Sequence, residues 1–295
     1  MNVPIEYVIA ALLLFSIVVL LCVKCIKVLN NMLLYGKTYS NKRKVDLKLY
    51  KRIDDTIVSL TVPKAYFTHF YVIFFLLCCL SQWFLSLVYF DSKRSVYMNF
   101  SVQEIPGVEE FKNYQVILYL LSAQSIRRLL ECLFITNFSK TSRMNILHYV
   151  MGMLFYSLVS LNSFMSLLPY YLSDSDKKIP LKLNLADYLL LLMFLVVSIK
   201  QNEQHRYLAG LKKYSLPDFA LLASPHYLNE ILIYFIVFLF SARLKRFTII
   251  ELNFLLAWVF VLTNLLISSL ETFKYYKKTY DKEFKVKWAV IPGLL

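Results

Sequence analysis

The sequence predicts an all-α integral membrane protein with about seven transmembrane helices, and three observations carry that prediction. Of its 295 residues 58% are hydrophobic and only 18% charged, and a mean hydropathy of +0.54 lies well outside the range of soluble domains. The apolar residues are gathered into runs, and a helix needs roughly 20 of them to cross a hydrocarbon core about 30 Å thick. Most basic residues stand between the runs.

Taken in order, the first run, 4–30, lacks a basic start and a small-residue cleavage site, and reads as a retained anchor rather than a signal peptide. A basic segment follows, in which Lys37, Lys42, Arg43, Lys44, Lys48, Lys51 and Arg52 crowd ahead of the second run at 67–90. The next loop, from Asp91 to Lys112, balances Lys93 and Arg94 against Glu104, Glu109 and Glu110. By the positive-inside rule the first loop is therefore cytosolic. Runs at 114–136, 146–172, 184–200, 228–242 and 247–270 complete the seven, of which the fifth and sixth are short. Seven crossings place the N-terminus in the lumen and the C-terminus in the cytosol, which suits the basic tail "KYYKKTYDKEFKVKW". The loop with Arg243, Lys245 and Arg246 runs against the charge rule. Asn99-Phe100-Ser101 is a glycosylation sequon on the lumenal side, and Asn137-Phe138-Ser139 fits the same pattern on the cytosolic side.

The net charge of +14 follows this topology, so it argues for anionic headgroups or a bound anion at the cytosolic face, not for nucleic acid. Cys22, Cys25, Cys78, Cys79 and Cys132 lie in or against apolar runs and read as small hydrophobes. No His or Cys spacing suits a metal, and five glycines build neither G-x-G-x-x-G nor a P-loop. There is no repeat or linker, so residues 1–295 read as a single membrane domain, with no obligate protein partner inferred. A nucleotide site in such a chain must be assembled from helix ends and loops.

Charges within the runs point to where that site is, because polar groups at membrane depth are costly and face a cavity or a partner. In "AQSIRRLLECLFI", Arg128 and Glu131 are three apart and can pair on one helix face, which leaves Arg127 in need of a partner. A neutralised pair and an anion site are both open readings. In "SPHYLNEILIY", Glu230 falls near a helix start, where the dipole favours an acid, and His226 lies four residues before it on the same side. The stretch "KQNEQHRYLAGLKKYSLP", 200–217, places a dense polar set directly after an apolar run.

In order and spacing, "YGKTY", "VPKAYFTHFY", "SIRRLLECLF", "SRMNILHYV", "QHRYLAGLKKYSLP", "SPHYLNEILIY" and "YYKKTYDKEFKVKWAVIPGLL" resemble the steroid 5α-reductase family, in its dolichol-forming polyprenol reductase branch, and are most like the fungal members. The resemblance implies a seven-helix enzyme of the endoplasmic reticulum membrane with a cytosolic-facing site, which uses NADPH to reduce the α-isoprene double bond of a polyprenyl lipid in the dolichol synthesis that supports protein N-glycosylation. It carries the family's Asn-x3-Asp-x6-Arg pattern onto Gln201, His205 and Lys212, its Asn-x3-Glu onto His226 and Glu230, and its tail Tyr onto Tyr276, within a cofactor-binding part at about 114–295. The basic residues Arg127, Arg128 and Arg143 are expected to join this set. Two departures stand out: Glu271, Thr272 and Phe273 occupy the neighbourhood where many members carry a tail His, and no counterpart exists of the Gln-Glu pair that steroid enzymes present to a ketone.

Hydride adds readily to an alkene only when conjugation provides an atom to take the charge, which favours polyprenal over polyprenol as direct acceptor. Tyr66 and His69 in "VPKAYFTHFY" are the candidate donors to the developing enolate oxygen, with Glu230 beside the cofactor. Two alternatives stand beside this reading: a helix-built membrane methyltransferase acting on an isoprenylated substrate, and a non-enzymatic lipid transporter or receptor.

Overall fold

Apolar runs become helices, and polar residues at their ends decide where each one begins. In the computed structural model, which describes residues 3–26, 60–90, 107–172, 182–212, 215–243 and 247–293, seven long helices form: α1 Ile5–Cys25, α2 Phe67–Phe90, α3 Val108–Phe134, α4 Ile146–Leu172, α5 Leu185–Gly210, α6 Pro225–Ala242 and α7 Ile249–Tyr280. The basic cluster from Lys27 to Arg52, the charges at Lys93, Arg94 and Glu104, the sequon at Asn99, and Lys213, Lys245 and Arg246 lie outside the described residues.

α2 and α4 occupy their predicted ranges, whereas α3 begins at Val108 rather than 114, α5 runs to Gly210 rather than 200, α6 begins at Pro225 rather than 228, and α7 continues to Tyr280 rather than 270. Hydropathy ends a run at the first polar residues; backbone hydrogen bonding continues wherever those residues find partners. Capping sets several starts. Asn184 accepts from the Asp187 amide at 3.0 Å while Asp187 accepts from the Asn184 amide at 2.8 Å, and Thr248 with Glu251 forms the same reciprocal box ahead of α7. Pro225 opens α6 at a position where its missing N–H costs nothing.

Among the described residues six helices are long and apolar enough to cross a membrane. The exception, α3, has 27 residues and so spans about 40 Å, but it carries Glu109, Glu110 and Lys112 at one end and Arg127, Arg128 and Glu131 near the other. Neighbours shield it. α4 sits centrally against α1, α2, α3 and α7, α6 packs between α5 and α7, and α3 closes the ring between α2 and α6. α5 is peripheral and leaves Tyr188, Leu189, Leu192, Val196 and Ile199 exposed on its outer face, as lipid contact requires.

Two short pairings tie the ends together. β1, Thr61–Pro63, runs antiparallel to β2, Arg143–Asn145, in the register Thr61↔Asn145, Val62↔Met144 and Pro63↔Arg143, which sets the starts of α2 and α4 side by side. The C-terminal tail returns to the start of α6, where the Ala223 amide donates to the Trp288 carbonyl at 3.0 Å and Ser224 to Ala289 at 3.1 Å.

Candidate active site

The last turns of α3 and α5 and the first of α6 bring most of the sequence-predicted polar residues together. Glu131 is the hub. Its Oε1 accepts from Arg127 and, at 2.8 Å, from Asn202; its Oε2 accepts from Arg128 and, at 2.7 Å, from the Nδ1 of His205. The carboxylate is 1% exposed, and four donors fill its lone-pair sites. Because a carboxylate only accepts, His205 carries its proton on Nδ1, and the 2.8 Å approach of Arg128 to the same nitrogen follows from both groups seeking one oxygen.

Arg127 does not lack a partner: it shares Glu131 and also donates to Gln124 Oε1 at 2.7 Å and to the side-chain oxygen of Gln201. Gln201 in turn donates to Glu230 at 2.5 Å and to the His226 carbonyl at 3.1 Å, while Gln124 approaches both Glu230 oxygens at 3.3 Å. Glu230 is thus held by side chains of α3 and α5 and is no helix cap. Here lies the reason α5 continues past residue 200: Gln201, Asn202 and His205 are polar in sequence but are bound across to α3 and α6.

This network backs a cavity of about 690 Å³, within the roughly 300–1,000 Å³ of small-molecule sites. Of the predicted residues, Arg128, His205, Lys212, His226 and Tyr276 line it. Arg127, Gln201 and Glu230 stand one layer behind the wall. Arg143 is elsewhere; its guanidinium donates to the Thr61 hydroxyl and carbonyl, both at 2.9 Å, and secures the β1–β2 pairing. Tyr66 and His69 also stand apart. Both are exposed, their rings tilted against each other with centroids 4.5 Å apart, and His69 Nδ1 is 3.1 Å from the Tyr149 hydroxyl.

Sequence reading missed other lining groups: Lys64, Tyr71, Cys132, Asn137, Glu271 and Thr272. Asn137, read as part of a sequon, donates to the Ala209 carbonyl at 3.0 Å and closes one edge. Glu271 and Thr272, where the tail His is missing, put an acid and a hydroxyl on the wall. Glu271 is the one carboxylate among the described lining residues, and Lys24 at 2.5 Å and Lys274 at 3.2 Å neutralise it. Lys64, Arg128 and Lys212 add cations to walls that also carry Phe67, Phe138, Leu208 and Leu211, with His205 and His226 at a centroid separation of 5.7 Å. Such a surface suits an anionic ligand with several oxygens, which guanidinium and ammonium groups bind by charge-assisted hydrogen bonds.

Comparison with known proteins places this architecture. The chain is 35% identical over 272 residues to the polyprenal reductase of Saccharomyces cerevisiae, covering 90% of this chain and 87% of that protein. The chain belongs to the polyprenal reductase family. It is 27% identical to the human polyprenal reductase over 79% of this chain and 78% of that one, and 26% identical to that of Caenorhabditis elegans over 94% and 90%. No family model matches the chain. The higher identity to the yeast polyprenal reductase agrees with the fungal leaning of its motifs, and the family removes the ground for a methyltransferase or a transporter.

Proposed function

We propose that this chain reduces the α-isoprene double bond of polyprenal to give dolichal, with NADPH as reductant, and so supplies dolichol synthesis and protein N-glycosylation. Family membership makes it an oxidoreductase acting on a carbon–carbon double bond in a lipid substrate. The observation that carries the cofactor reading is the cation-bearing cavity, in which the one carboxylate among the described lining residues is neutralised. When bound, NADPH supplies the hydride; binding and orientation are the work of this chain's residues. Lys212, at the exposed rim, and Lys64 would hold the cofactor's phosphate oxygens. His205, protonated on Nδ1, presents an accepting Nε2 to a hydroxyl or amide, while His226 and Tyr276 bound the remaining wall. Arg127, Gln201 and Glu230 hold those groups in place, and Arg143 holds the ribbon that carries Lys64. Residues 1–295 act as one membrane domain, with most of the cofactor part at about 114–295 and Lys64 joining it from the segment ahead of α2.

Lys24 supports a cytosolic-facing site. It stands at the end of α1, directly before the basic first loop, and reaches Glu271 on the cavity wall. The cavity therefore shares a side with that loop, which the positive-inside rule assigns to the cytosol. The C-terminal tail joins the same side through Trp288 and Ala289. With α3 counted as the seventh crossing, the N-terminus is lumenal and the C-terminus cytosolic, in the endoplasmic reticulum membrane. Arg243 no longer opposes this, because Asp187 at 2.5 Å and Asn184 at 3.1 Å engage it.

Chemistry favours the aldehyde. Hydride delivered to the β carbon of polyprenal leaves the charge on the carbonyl oxygen, whereas polyprenol offers no such atom. The test is purified protein in detergent with NADPH and either polyprenal or polyprenol, products read by mass spectrometry. Saturation of polyprenal alone is expected. Turnover of neither lipid by folded, NADPH-binding protein refutes the substrate, and absence of NADPH binding refutes the reductase itself.

A further inference from the structure

Resting on that reading, we propose that the phenol of Tyr71, poised by Arg128, is the hydrogen-bond donor that receives the carbonyl oxygen of the enal. Reduction needs a donor at that oxygen, and Tyr66 and His69 lie outside the cavity. Tyr71 lies in its wall, 5% exposed, one turn inside Phe67 in α2. Arg128 donates to the Tyr71 oxygen at 2.7 Å and lies 4.8 Å from its ring centroid. Arg128 has no freedom to move away, since Glu131 binds its other nitrogen. The Tyr156 hydroxyl is the phenol's second hydrogen-bond neighbour, its ring centroid 5.3 Å away; with Arg128 and Tyr156 both donating to the phenol oxygen, the Tyr71 O–H is the group left to give. A guanidinium bound to that oxygen strengthens it as a donor, as hydrogen bonds in series polarise one another.

Tyr71 stands within a helix, as do the lining groups His205, His226, Ser268, Thr272 and Tyr276, and the Arg128 guanidinium bound to its oxygen sets it apart from them. Asn137, Ser139, Lys212 and Ser215 come from segments beyond helix ends, at the outer part of the cavity. Phe67, one turn before Tyr71, and Cys132, one turn after Arg128, line the same cavity and offer apolar surface to an isoprenyl chain. As hydride reaches the β carbon, the π pair of the Cα=Cβ bond moves towards the carbonyl oxygen, which the phenol stabilises. Water then supplies the proton that forms the new C–H bond at the α carbon. Tyr71 keeps its proton, and the substrate gains one hydride and one proton.

The test is Tyr71→Phe, read first without turnover. Farnesal labelled with ¹³C at the aldehyde, bound with NADP⁺, is expected to show a lowered carbonyl stretching frequency in the wild type and a near-solution value in Tyr71→Phe. NADPH affinity is expected to be unchanged and kcat on polyprenal to fall about 10²–10³-fold, the usual effect of losing one such donor. If Tyr71→Phe does not fold, Tyr71→3-fluorotyrosine keeps the shape and should lower the frequency further. An unshifted wild-type carbonyl, a shift that survives in Tyr71→Phe, a fluorotyrosine value equal to wild type, or kcat within about twofold would each overturn the assignment. Wild-type protein that leaves polyprenal unreduced refutes the substrate reading instead, while the carbonyl shift still judges Tyr71.

Discussion

Two ends of this molecule bury charge in the same bundle and use it differently. At the end away from the cavity, Lys112 binds Glu109 at 2.6 Å and Asp187 at 3.1 Å, Arg243 closes on Asp187 and Asn184, and Tyr114 donates to Glu251, the N-terminal capping acid of α7. Asn253 completes that end by donating to Asn162 at 2.9 Å and to the Glu6 carbonyl at 3.0 Å. These groups tie the starts of α1, α3, α5 and α7 to the end of α6. At the other end Glu131 binds as many partners, yet two of them, Arg128 and His205, keep a face on the cavity. The difference teaches that burial and pairing do not distinguish a lock from a site. What distinguishes them is whether the paired cation also borders open volume.

Breaking each hub in turn tests that distinction hardest. Glu131→Ala leaves two arginines without their carboxylate, and Asp187→Ala leaves Lys112 and Arg243 without theirs. Each is expected to cost about 3–5 kcal/mol in stability, seen as a large fall in melting temperature in detergent. Only Glu131→Ala should abolish turnover per folded molecule; Asp187→Ala should retain it within about twofold. Lys212→Ala sharpens the contrast further. The side chain is exposed, so melting should be unchanged, while KM for NADPH rises roughly 10–100-fold, the loss of one hydrogen bond to a charged group.

A packing change comes next in size. A methyl group added at Gly152 would sit 2.7 Å from the Phe70 ring, so Gly152→Ala must push Phe70 aside at a cost of about 1–3 kcal/mol. Because Phe70 adjoins Tyr71, kcat should fall along with the melting temperature. Tyr66→Phe and His69→Gln should do least, with stability changed by no more than about 0.5 kcal/mol, as for exposed positions, and turnover within about twofold. A large loss of kcat in either would return the donor role to them.

The helices were legible because apolar runs of bilayer length leave few alternatives, and Arg127, Arg128 and Glu131 announced a special region by being charged inside one. Their arrangement was not legible. The local rule pairs Arg128 with Glu131 at i+3, but the same carboxylate also takes Arg127 at i+4, and the further partner of Arg127, Gln201, lies 74 positions away. The same non-local bonds hid the last ten residues of α5. Tyr71 gave no signal, since in "THFYVIFF" one more aromatic reads as lipid contact, and only Arg128 from α3 sets it apart. Tyr66 and His69 had the right residue types on the right segment, but they face Tyr149 rather than the cavity.

The central claim is that the basic cavity holds the dinucleotide, and the most direct measurement is the structure of the purified protein with NADP⁺. The account predicts density against Arg128, His205 and Tyr276, with phosphate oxygens reaching Lys212. A dinucleotide seated elsewhere, with this cavity empty, would contradict it.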